Sequence, residues 1–93
     1  LKPKFNLNEL KIYPNPLKLK EHDRLYFSGL TLQSKIKIVS LSGDIITQFE
    51  VDGGGFSWNL LSTQGNKINE GVYLIFIVSQ DGNEDLIGKI LVL

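Results

Sequence analysis

Apolar and polar residues alternate with a period of two along most of this chain, and no stretch spaces its apolar residues as a helix does. That pattern leaves few architectures open. An alternating strand has one face for a core and one for water, so it needs neighbours along its edges and a second layer over its apolar face. Leu10-Lys11-Ile12-Tyr13 is a short strand that stops at Pro14-Asn15-Pro16. The two prolines there remove backbone donors and hold φ. Arg24 to Leu30 sets Leu25 and Phe27 against Tyr26 and Ser28. Lys35 to Leu41 turns Ile36 and Ile38 inward and both lysines outward. Ser42-Gly43-Asp44 is a hairpin turn in which glycine supplies positive φ, and Ile45 to Val51 is the returning strand.

Asp52-Gly53-Gly54-Gly55 reads as a flexible turn, and Phe56 to Leu60 as the strand after it, with Phe56 and Trp58 on one face. Leu61 to Glu70 is turn-rich and is the longest expected loop. Gly71 to Gln80 is almost continuously apolar and β-branched, the pattern of a central strand buried on both faces or nearly so. Asp81-Gly82-Asn83 closes a hairpin onto a last strand, Glu84 to Leu93. About seven short strands with turns every 8 to 12 residues or so predict an all-β, Ig-like sandwich of two antiparallel sheets. The expected core anchors are Phe27, Ile36, Ile38, Phe56, Trp58 and Ile75.

The totals exclude several functions. Ninety-three residues make one domain, able to bury roughly 60 to 65% of its unfolded surface. There is no cysteine, hence no disulfide and no thiolate metal site. No apolar run approaches the roughly 18 residues that a membrane-spanning helix requires. The N-terminus lacks the apolar segment of a signal peptide. It begins at Leu1 rather than methionine, as expected of a piece of a longer protein, and residues 1–9 read as a linker from an upstream domain. Net charge is zero but unevenly placed: residues 1–37 hold eight basic and three acidic side chains, and residues 38–93 two and seven. Such segregation serves solubility, or orients the domain on a partner. The basic residues are dispersed with no aromatic platform among them, which argues against nucleic acid.

Candidate reactive groups are few. His22, the single histidine, lies in a polar loop and cannot build a multi-histidine metal site. Asp81 to Asp85 has the composition of a calcium loop without the spacing of one. Ser40, Ser42 and Ser57 have no histidine near in sequence. Gly53-Gly54-Gly55 precedes no helix and cradles no phosphate. No catalytic residue, metal or cofactor is expected.

Four motifs occur in order: Tyr13-Pro14-Asn15-Pro16, Ser42-Gly43-Asp44, Gly71-Val72-Tyr73, and Gly88-Lys89-Ile90-Leu91-Val92 at the terminus. Together they resemble the type A C-terminal sorting domain of the type IX secretion system of Bacteroidetes, over about Leu10 to Leu93. The longer segment from Trp58 to Gly71 also resembles the Ig-like domain of flagellar hook-capping proteins. It is similar, too, to the terminal domain of a propeller-bearing surface component of the same machine. The resemblance implies a non-catalytic module of a larger protein, passing through the periplasm to the cell surface or medium. Its implied partners are outer-membrane translocon or sortase proteins, and recognition falls to Gly88, Lys89, Ile90, Leu91, Val92 and Leu93.

Beside that resemblance, the residues carry plainer roles. Lys89 is a polar contact on a recognition edge or a charge that keeps an edge strand from aggregating. Gly88 is a bulge or a point of close approach. Pro14, Asn15, Pro16, Gly43 and Gly71 are turn and corner positions, and Tyr73 ties a strand corner through its hydroxyl. Two other functions fit the pattern: a retained structural domain of the secretion or hook assembly, and a carbohydrate-binding sandwich in which Trp58 stacks on a sugar.

Overall fold

The computed structural model describes residues 10–30, 34–52, 54–78 and 82–93. The expected linker at 1–9 and the turn residues Gly53 and Asp81 lie outside them. Seven strands follow one another: β1 (Lys11–Tyr13), β2 (Leu25–Leu30), β3 (Ser34–Ser40), β4 (Ile45–Val51), β5 (Gly54–Trp58), β6 (Gly71–Val78) and β7 (Glu84–Val92). They form two antiparallel sheets, one ordered β1-β2-β5 and the other β4-β3-β6-β7. The chain is an all-β sandwich.

The period of two sets which residues meet between the sheets. Leu25 and Phe27 of β2 and Trp58 of β5 face Ile36 and Ile38 of β3, Ile75 and Ile77 of β6, and Ile90 and Val92 of β7 in one core. Each such side chain, fully buried, contributes on the order of 1.5 to 3 kcal/mol. Phe27, Ile36, Ile38, Trp58 and Ile75 are buried, whereas Phe56 is half-buried. Phe56 stacks on Phe49 of β4 at 4.4 Å between ring centroids, and both rings contact Phe27. This aromatic cluster closes the side of the sandwich where β4 and β5, the edge strands of their sheets, lie together.

Two expectations need correction. The glycine turn is shorter than the sequence predicts, because Gly54 and Gly55 belong to β5, with Gly54 paired to Leu30 across an irregularity in the ladder. A Cβ on Gly55 would stand 3.5 Å from the Phe27 carbonyl, so the backbones run close enough for β2 to draw these glycines into pairing. At the other end of the same segment, Leu60 lies outside the strand. The second concerns β6. It is central in its sheet, but only its inner face is buried; Val72, Leu74, Phe76 and Val78 are half-buried on the outer face. A two-layer fold covers one face of each sheet.

Candidate functional site

The β7 end of the domain is built by contacts between its two most distant motifs. After β1 the chain passes through Pro14-Asn15-Pro16, in which the Tyr13–Pro14 and Asn15–Pro16 bonds are both cis. From this turn the Asn15 carboxamide reaches the terminal strand. Its Nδ2 donates to the Lys89 carbonyl at 3.0 Å, and its Oδ1 accepts from the Leu91 N–H at 3.2 Å. One side chain thus supplies a donor and an acceptor, as the backbone of a paired strand does.

The chain then runs parallel to the end of β7. Leu17 N–H donates to Leu91 O, Leu93 N–H donates to Leu17 O, and Leu19 N–H donates to Leu93 O, each at 2.8 Å. Leu17 is fully buried in the core. This strap closes the sandwich on the side opposite the aromatic cluster.

The six terminal candidates therefore divide. Ile90 and Val92, 3% and 1% exposed, are core residues. Lys89, Leu91 and Leu93 present their side chains to solvent. Gly88 sits at an irregularity where Ile75 pairs with Gly88 and Phe76 with Leu86, leaving Ile87 as the extra residue of a bulge. The backbone edge from Lys89 onward is already engaged by Asn15 and the strap. The edge reading of this strand needs correction at that point: these residues offer side chains, not an open ladder.

The remaining motif residues sit at turns and corners. Gly43 has φ of 96° in the β3–β4 hairpin, where its N–H donates to Ser40 O at 3.0 Å and the Ser40 N–H donates to Asp44 O at 2.9 Å. Gly71 opens β6 at φ 149°, a backbone region that L side chains rarely adopt. Two residues on, the Tyr73 hydroxyl donates to the Asn69 carbonyl at 2.7 Å, tying the long loop to the start of the strand. That loop is also anchored from within. Leu60 and Ile68 are buried, and Ile68 N–H donates to Leu60 O at 3.0 Å. Leu60 holds a positive φ of 67°, the single non-glycine residue to do so among those described.

Trp58 is 5% exposed, and its Nε1 donates to Leu61 O at 3.0 Å. Its ring is committed to the core and offers no face to a sugar. His22 Nδ1 accepts from the Lys18 N–H at 3.0 Å and so serves the turn from Lys18 to His22. Among the described residues no cluster of three or more histidine, aspartate or glutamate side chains is placed to hold a metal ion. Among the described residues no helix is long and apolar enough to cross a membrane.

The family profile of the secretion system C-terminal sorting domain matches residues 11–92. The chain belongs to that family. A solved structure similar to this sorting domain is that of PorZ, an essential bacterial surface component of the type-IX secretion system of Porphyromonas gingivalis. The two share 26% identity with a TM-score of 0.76; the likeness covers 94% of this chain and 12% of PorZ. None of the curated proteins matches the chain. The domain is a C-terminal sorting module of the type IX system, serving export to the cell surface or medium. Its family is in general non-catalytic.

Proposed function

We propose that this domain carries a larger protein through the periplasm to the outer membrane, where the translocon or a sortase recognises its folded β7 end, and that it performs no chemistry itself. Residues 1–9 serve as the linker to the upstream domains. The observation that carries the reading is the division within the terminal strand. Ile90 and Val92 hold the strand in the core, and Asn15 and the Leu17–Leu19 strap fix its backbone. Lys89, Leu91 and Leu93 are thereby displayed from a fixed frame, with little ordering entropy left for a receptor to oppose.

Cutting off the last five residues is a poor test, because it removes Val92 from the core along with the surface groups. The sharper experiment replaces Leu91 and Leu93 with serine in a passenger fusion. The expected result is an unchanged unfolding transition with export reduced and the passenger held in the periplasm. Export at the unmodified level from the folded double variant would refute recognition at this end. Proteolytic loss of the domain from the exported fusion would identify a cleaved signal, and an intact fusion at the surface a retained one.

A further inference from the structure

Among the described residues, one half of β7 is paired along one side only. β6 pairs with it along one side from Glu84 to Val92. On the other side, hydrogen bonds begin only at Lys89, with Asn15, and continue through the strap at Leu91 and Leu93. Among the described residues, no backbone group is paired with the outer side of Glu84–Gly88. Since β1 lies at the edge of the other sheet, the two sheets part here. Between them runs an open groove of about 390 Å³, whose lining includes Leu10, Ile12, Leu86, Ile87 and Gly88. Leu86 is 53% exposed.

We propose that this open half of β7 accepts an extended strand from a partner protein, continuing in trans the strand pairing that Leu17–Leu19 makes in cis. This inference deepens the reading above by naming where and how a partner would pair with the same strand. The backbone edge supplies the affinity and the groove takes an apolar side chain at alternate positions, as in recognition by strand addition. Continuity supports a strand as the occupant: a few residues on, the same edge already takes bridge-type backbone pairing from the extended Leu17–Leu19 strap.

Charge sets the partner's chemistry. Asp85 stands exposed at the start of the open stretch, and Lys89 exposed just beyond its end. Together with the bulge at Ile87, these charges discourage indiscriminate edge pairing. A strand running antiparallel, the slightly more stable arrangement, meets them with an acidic residue near its N-terminus, a basic one near its C-terminus and apolar residues between.

The test uses the whole chain and a short capped peptide that alternates valine and threonine, with glutamate first and lysine last. Amide exchange and chemical shifts are followed by NMR. Addition of the peptide is expected to slow exchange at Leu86 and Lys89 and to shift signals along Glu84–Gly88. A peptide with its two charges exchanged should bind about fivefold more weakly, the scale of exposed ion pairs. The double variant Asp85→Lys, Lys89→Glu should reverse that preference while unfolding at the same temperature as the parent. Equal binding of both peptides, protection elsewhere on the domain, or no protection at Leu86 by either peptide would overturn the proposal. The assay needs no export and leaves Leu91 and Leu93 intact, so its failure and that of the recognition reading are told apart.

Discussion

Replacing Asn15 separates the two hydrogen bonds by which a turn near the start of the domain holds its terminal strand. In the native domain the carboxamide donates to Lys89 O at 3.0 Å and accepts from Leu91 N–H at 3.2 Å. Both contacts are exposed to water, which competes for the freed groups. Each bond is therefore worth about 0.5 kcal/mol, the low end of the usual net range. Asn15→Ala should cost about 1 kcal/mol, which for a domain of this size lowers the thermal midpoint by about 4 to 8 °C. Asn15→Asp keeps an acceptor for Leu91 N–H but sets a negative charge against the Lys89 carbonyl, so it should be less stable than the alanine variant. Thermal unfolding gives the magnitudes, and exchange at the Leu91 amide gives the location. An Asn15→Ala variant with the parent's midpoint and unchanged Leu91 protection would refute the strand-like role of this side chain. An aspartate variant more stable than alanine would show that the repulsion at the Lys89 carbonyl is weaker than the bond kept with Leu91 N–H.

Three further outcomes are expected. Tyr73→Phe removes the donor to Asn69 and leaves a partly buried carbonyl without its partner, costing about 1 to 3 kcal/mol in denaturant unfolding. Leu17→Ala empties a fully buried site that joins the strap to the core, at about 2 to 5 kcal/mol, and exchange should rise at Leu93, whose N–H the strap accepts. Gly71→Ala forces a Cβ onto a backbone at φ 149° and should cost about 1 kcal/mol or more, although no neighbouring atom obstructs it.

The strands were legible because alternation reports directly on a sheet with one buried face. Ile36 and Ile38, alternating with Lys35 and Lys37, could point only one way, and the returning strand Ile45–Val51 ends where its pattern ends. Leu17 was not legible. It opens only a brief alternation, Leu17-Lys18-Leu19-Lys20, between a proline and a polar loop, and its burial follows from a parallel pairing with a strand more than seventy residues away. Ile68 was hidden in the same way, inside a segment whose glycine, serine and asparagine content describes its surface and not its anchor. At the site, the terminal motif was readable as a strand. Its division into core and displayed residues was half-readable from the same alternation, Ile90 and Val92 against Lys89 and Leu91. What the alternation could not reveal was the carboxamide from Asn15, because a side chain that imitates backbone pairing leaves no periodic trace.

The union of Asn15 and Leu17 with Lys89, Leu91 and Leu93 also governs when folding can finish. The residues on the two sides of that closure lie 74 and 76 positions apart for the Asn15 bonds alone. During synthesis the early turn leaves the ribosome long before its counterpart exists, and the sandwich stays unclosed until Leu93 has been added. A polypeptide abandoned short of Ile90 has no means of sealing its interior. A receptor that grips only the sealed shape would then turn away unfinished cargo without ever inspecting the cargo itself.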